Sequence, residues 1–219
     1  MILSSGRGVP LKNLYIAGAS EPGHELLDIV RCAELPYKFL GFYDEMKSGQ
    51  DIVNTISGLD PDAFFAIAIG KTSVRERLYD LFVASGLTPA TVIAPSAFVS
   101  SSASIGPGAV IYPNCSVSLN AEIGANVLIN YNCSISHGVK IARHCNITPG
   151  VNIAGNVSIG ERCYLGIGAA LIEKTTLGND VTVGANATVI RDLATPGTYV
   201  GSPARLINSG AQRPNDTQK

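Results

Sequence analysis

From Ile93 to Val189 an aliphatic side chain recurs at every sixth position without a miss, through Val99, Ile105, Ile111 and Val117 to Leu171, Leu177 and Val183. Four residues after each stands a small side chain, as at Ala103, Ala109, Cys115, Ala121, Cys133, Cys145, Cys163 and Ala187. A period of six fits neither the 3.6 of a helix nor the 2 of a long strand. It predicts a coil of short flat strands, one hexapeptide each, that turns the ladder residue into a narrow core and the small residue into its corner. Stacked coils hydrogen-bond to one another at about 4.8 Å. Glycine often follows the ladder residue, as at Gly106, Gly124 and Gly160, and suits a corner. The frame breaks at Thr195.

Before residue 90 the pattern is different. Leu14–Ala19, Tyr37–Asp44 and Phe64–Gly70 read as strands, while His24–Leu35 and Ser73–Gly86 carry apolar residues at helical spacing. Strands alternating with helices predict a small parallel sheet of Rossmann type. Ligands of such sheets sit outside the carboxyl ends of the strands, which draws attention to Gly18–Gly23, Asp44, Glu45 and Gly70. The division expected is 11–90 for an α/β unit, 91–206 for an all-β parallel β-helix, and 207–219 for a polar, disordered tail.

Composition narrows the function. Only 15% of the 219 residues are charged and the formal net charge is -1, against about 25% charged in ordinary proteins. Nucleic acid is not an expected partner without a basic patch. The longest apolar run, Ala63–Ile69, is far short of the roughly 20 residues that span a bilayer. Residues 1–13 lack the pattern of a secretory signal, so a cytoplasmic location is expected. Four of the five cysteines, Cys115, Cys133, Cys145 and Cys163, fall in the small inward position and are expected as free structural thiols; Cys32 is expected in the core of the first helix.

The motif [LIV]-G-x-x-small-x, as in Ile123–Leu128 and Ile159–Tyr164, resembles the hexapeptide-repeat acyltransferases, which implies a left-handed β-helix. The stretch NYNCSISHGVKIARHCNITPGVNIAGNVSIG, with FYDE, FFAIAIG, Arg75 and VGSPAR (Val200–Arg205), is similar to the sugar acetyltransferases of the bacillosamine and sialic-acid pathways. The resemblance implies acetyl transfer from acetyl-CoA to an amino group on a nucleotide-linked sugar, a UDP-4-amino-4,6-dideoxy sugar first of all, in a homotrimer. It makes His137 the general base, since imidazole titrates where an amine must lose a proton. It places the cosubstrate on Asn146, Gly155, Ile167, Gly184, Ala185, Pro203 and Arg205, and the nucleotide sugar on Gly18, Ser20, Asp44, Glu45 and Gly70.

Three departures stand out. Asn146 replaces the family's second histidine, whose role is to contact acetyl-CoA; Ser136 and Gly138 flank His137 where a carboxylate is usual; and GASEPG (Gly18–Gly23) replaces a more glycine-rich turn. They keep open a hydroxyl acceptor, as in sialic-acid O-acetylation, or a non-catalytic sugar-nucleotide scaffold. A carbonic anhydrase on the same β-helix needs three zinc-binding histidines, whereas this half has only His137 and His144. No metal is expected.

Overall fold

A computed structural model describes residues 11–207. The proposed tail from 207 onward lies almost wholly outside the described residues. The N-terminal unit runs β1 (Lys12–Ala17), α1 (Glu21–Cys32), β2 (Tyr37–Tyr43), β3 (Ile52–Val53), β4 (Phe64–Ile67), α2 (Thr72–Ala84) and β5 (Thr88–Pro89). Its five strands are parallel in the order β3-β2-β1-β4-β5. Alternate residues of β1 face opposite ways: Leu14 and Ile16 pack with Leu26, Leu27 and Val30 of α1, and Tyr15 and Ala17 with Leu78 and Phe82 of α2. One helix covers each face. With only these two α-helices among the described residues, the Rossmann-type expectation reduces to a small three-layer parallel unit. Its strand order reverses between β1 and β4.

The two helices differ from expectation in detail. α1 begins at Glu21, so half of the GASEPG turn is helix; it ends at Cys32, whose side is exposed rather than core. The final position leaves that residue on the solvent side of the last turn. α2 ends as expected ahead of Gly86, which has φ +92°.

The hexapeptide frame from Val92 onward is a three-faced parallel β-helix. Face I stacks Phe98–Val99, Ser116–Val117, Ser134–Ile135, Asn152–Ile153, Ala170–Leu171 and Thr188–Val189. Face II stacks Ser104–Ile105, Glu122–Ile123, Lys140–Ile141, Ser158–Ile159 and Thr176–Leu177. Face III stacks Val92–Ile93, Val110–Ile111, Leu128–Ile129, Asn146–Ile147, Tyr164–Leu165, Val181–Val183 and Gly197–Val200, closed by an antiparallel Arg205–Ile207. Up to the last coil, each strand residue pairs with the one 18 positions on, for example Leu128 with Asn146 and Ser134 with Asn152, whereas Val181 pairs with Gly197, 16 on. The ladder and small residues form one continuous core from Ala109 to Val189. Beyond it the frame slips: Leu193, two positions early, bridges to Leu177.

Two corner positions obey different rules. From Gly108 to Asn186, three residues after the ladder, the backbone is left-handed, at Asn114, Asn120, Asn126, Asn132, Asn156 and Asn186 and at Gly108, Gly138, Gly150 and Gly168 among others. Asparagine tolerates that conformation better than other side chains, which explains its recurrence. The glycine directly after the ladder is instead a matter of space: a Cβ on Gly124 would lie 2.7 Å from the Arg143 nitrogen of the next coil.

The inward thiols are free and buried. Each donates to a carbonyl of the next coil, Cys115 to Asn130 at 2.9 Å and Cys163 to Gly178 at 3.0 Å among them. On the outside, Val92, Val110 and Leu128 of face III are buried in the same cluster as Leu26, Leu27 and Phe42, so the first coils of that face carry the N-terminal unit.

Candidate functional site

The candidate residues fall into three groups. The first lines the carboxyl edge of the N-terminal sheet. Gly18 leaves β1 at φ +103°, and a Cβ on Gly23 would sit 1.9 Å from the Gly18 carbonyl oxygen, so glycine is required for α1 to start this close to the strand. The Asp44 carboxylate accepts the backbone N–H groups of Ala19, Met46 and Lys47 at 3.0 to 3.1 Å. Partial burial pulls its pKa upward, but these three donors outweigh it and hold the group below the usual carboxylate range. Lys47 Nζ donates to the Ala19 carbonyl at 3.0 Å. Asp44 therefore staples the turn in which Ser20 holds the N-cap position of α1, without a side-chain capping bond. Glu45 is more fully engaged: Arg77 donates to both its oxygens at 2.9 and 2.6 Å, and Tyr43 donates to one. The guanidinium bonds lower its pKa. Its carboxylate is committed to this pair, which leaves it less suited to a ligand than the sequence position suggests.

The second group bridges the two halves. Asn146, on face III and 3% exposed, donates from Nδ2 to the Gly70 carbonyl at 2.8 Å. Two residues assigned to different ligands thus touch. The bond points the amide nitrogen at Gly70 and leaves Oδ1 without a partner. Beside them opens a cleft of about 510 Å³ lined by Gly70, Lys71, Thr72, Ser73, Asn146, Tyr164 and Thr182. It combines the uncapped start of α2 with the outward residues of three successive coils of face III. Free N–H groups and a helix dipole at such an end favour an anionic or carbonyl oxygen.

The third group is on the β-helix alone. His137 sits exposed on the corner between faces I and II, and its ring lies over Gly155 in the next coil: a Cβ there would be 2.6 Å from ring Cε1 and Nε2. Gly155 is the seat of the imidazole. The ring makes no hydrogen bond or ion pair to another described residue, and Leu119, which is 59% exposed, stands one coil away in the same column. Ile167, Gly184 and Ala185 lie on the corner between faces III and I, where Val200 packs against Gly184. Pro203 follows in the exposed turn beside it, and Arg205 opens the closing strand, its guanidinium donating to the Ala204 carbonyl.

A triangular prism puts the I/II corner opposite face III. One chain consequently keeps His137 and Asn146 on opposite sides, and does not assemble base and amide into one site.

The family profile described as the GMPPB C-terminal domain matches residues 87–201. The chain belongs to that family. No curated protein sequence matches significantly. Among solved structures, the acetyltransferase domain of PglB from Neisseria gonorrhoeae in complex with acetyl coenzyme A superposes with TM-score 0.83 and 28% identity, over 90% of this chain and 100% of that one. PerB from Caulobacter crescentus, in complex with CoA and GDP-perosamine, gives 0.82 and 25%, over 92% and 100%. WeeI from Acinetobacter baumannii gives 0.82 and 26%, over 90% and 100%. The likeness to hexapeptide-repeat sugar acetyltransferases thus extends over both halves of the chain, and the stacked parallel strands fit a left-handed β-helix.

Sequence reasoning missed Lys71, Thr72, Ser73, Tyr164 and Thr182 as lining residues. The signal for the last two was the 18-residue spacing from Asn146, which puts all three on one face. His144 is 1% exposed and packs edge-on to Tyr79 of α2 at 5.5 Å between ring centres. Among the described residues no three His, Cys, Asp or Glu side chains are grouped to hold a metal, and no helix is long and apolar enough to cross a membrane.

Proposed function

We propose that this protein transfers the acetyl group of acetyl-CoA to the amino group of a nucleotide-linked sugar, with His137 as general base. The observation that carries the proposal is the full-length likeness to acetyltransferases seen with acetyl coenzyme A and with a nucleotide-linked sugar. The local geometry supports it, with an accessible imidazole seated on glycine and a polar cleft where the two halves meet.

In the direct transfer proposed, the amine lone pair attacks the thioester carbonyl and forms the C–N bond. The carbonyl oxygen becomes an oxyanion and needs donors; the start of α2 and the second N–H of Asn146 are the candidates. The C–S bond then breaks, CoA leaves as the thiol or thiolate, and His137 takes the proton that nitrogen sheds. Gly18, Ser20 and the Asp44-stapled turn would hold the nucleotide, and Ile167, Gly184, Ala185, Pro203 and Arg205 the CoA arm. Because His137 and Asn146 lie on opposite sides of one prism, the complete site would draw on two copies in a homotrimer. The sugar proposed is a 4-amino-4,6-dideoxy hexose carried by UDP. Both substrates are soluble metabolites of the cytoplasm, the location proposed.

The test is acetyl-CoA consumption by the purified full chain with UDP- and GDP-linked amino sugars and with hydroxyl acceptors. Turnover with an amino sugar is expected, and His137→Ala should lower kcat by about 10²- to 10⁴-fold. Undiminished turnover in that variant would remove His137 as the base. Nucleotide-sugar binding without transfer to any acceptor would replace the enzyme by a scaffold.

A further inference from the structure

Arg75 is the largest fully buried side chain of the described residues. It lies on α2, on the face with Thr72, Glu76 and Tyr79, which the helical spacing aligns. Its Nη1 donates to the carbonyls of Ile67 at 2.7 Å and Ile69 at 3.1 Å, the residues that end β4 and lead into Gly70. Its Nη2 donates to the backbone carbonyl of Asn126 at 2.7 Å and to Asn126 Oδ1 at 2.8 Å. Asn126 is a left-handed corner residue between faces II and III and is itself wholly buried. Its Nδ2 returns a bond to the Arg75 carbonyl at 3.0 Å and meets His144 Nδ1 at 2.9 Å. These bonds orient one another. Donation from Arg75 fixes the amide with Oδ1 toward the guanidinium, so Nδ2 must be the donor to His144, and His144 Nδ1 must carry the lone pair.

Four oxygens, all of them carbonyl, surround this cation, and Nε has no partner. Burial pulls the guanidinium down to about 10, still charged at neutral pH. A methionine would fill similar space without the desolvation cost, so stability is a poor account of an arginine here. What the guanidinium supplies is direction. Two bonds grip the end of β4 and two grip the β-helix corner, through one rigid planar fork. The segment so held continues directly into Gly70, whose carbonyl meets Asn146, and into the start of α2 that lines the cleft.

We propose that Arg75 is a positioning residue for the transfer reaction: locked to Asn126, it sets where the Gly70–Ser73 segment stands relative to Asn146. This rests on the function proposed above, and the experiment separates the two. In the full chain, Arg75→Met, Arg75→Lys and Asn126→Ala are compared by amide hydrogen exchange at residues 68–73 and by kcat and KM for each substrate. Arg75→Met should raise exchange there by about tenfold or more while the β-helix stays protected. Its kcat should fall by about 10- to 100-fold, the scale of a reacting group displaced by about 1 Å, with KM for acetyl-CoA nearly unchanged. Arg75→Lys should recover only part, because one ammonium does not reproduce the fork. Wild-type exchange at 68–73 in a folded Arg75→Met protein overturns the proposal whether or not an acceptor sugar is known. If that variant does not fold, Asn126→Ala decides: unchanged exchange and unchanged kcat overturn it, and loosened exchange with reduced kcat supports it. Absence of turnover in the wild type would count against the function alone, since the exchange result stands without it.

Discussion

A left-handed backbone costs most side chains about 1 kcal/mol or more, and asparagine and glycine least. That difference decides which residues stand three places after the ladder. Asn120 is exposed at φ 55°, so Asn120→Ala should lower unfolding stability by about 1 kcal/mol while Asn120→Gly is nearly neutral, as chemical denaturation would read. Besides Asp180 at φ 59°, whose short polar side chain tolerates this backbone, three residues break the preference and bear this strain, His144 at φ 65°, Arg162 at 57° and Lys174 at 63°. Two of them are repaid by contacts, His144 by Asn126 and Tyr79, and Arg162 by Glu76 and Asp180. Nothing comparable accounts for Lys174. Gly155 is glycine for a different reason, the ring above it. Gly155→Ala should push the His137 imidazole out of its seat and reduce kcat by about tenfold or more, with a melting temperature near that of the wild type.

At the scale of elements, α2 is the joint of the molecule. Its apolar side covers the sheet through Leu78 and Phe82, and its polar side docks along one column of corners: Tyr79 against Gly108 and His144, Arg75 against Asn126, Glu76 against Arg162. The sequence makes the helix plain, yet it presents Arg75, Glu76 and Tyr79 as an ordinary polar face. Only the docked corner shows why they are there. His144 makes this joint sensitive to pH. Burial first, and the charges of Arg143 and Arg75 as well, lower its pKa below the ordinary 6.5, against the opposing pull of Glu76 and Asp80. The unfolded state thus binds the extra proton more readily, and stability from the neutral ring is present above pH 6.5 and lost as pH falls below it. Protonation would also place a donor on Nδ1, facing the Asn126 donor. Denaturation midpoints measured from pH 7.5 to 5 should fall more steeply for the wild type than for His144→Asn, whose side chain tolerates the same backbone. Parallel slopes would mean another group dominates.

At the scale of the whole molecule, the prism separates His137, the proposed base, from Asn146, the proposed oxyanion donor. If the site is shared between copies, two inactive variants should rescue each other. His137→Ala and Asn146→Ala, unfolded and reassembled as an equal mixture, should regain activity at roughly a quarter of their sites by random pairing in a closed ring. A site complete within one chain would show no recovery. The exposed side chains around the His137 corner agree with a covered surface: Leu119, Ile172 and Ile190 are 59%, 40% and 43% exposed in the single chain.

The sequence by itself determined the β-helix, its frame and its free thiols. Each hexapeptide must send one aliphatic and one small residue into a core too narrow for anything else, and such a local demand is written into every repeat. The candidate base, His137, rested instead on the resemblance of the segment around it to a known family. Tertiary structure decided the rest. The bond from Asn146 to Gly70 spans 76 residues and that from Arg75 to Asn126 spans 51; neither partner carries a mark of the other. Whether Glu45 is open to a ligand depended on Arg77, 32 residues away within α2. That His137 and Asn146, nine residues apart, lie on opposite sides follows from turning a chain through two corners, a rotation that spacing alone conceals.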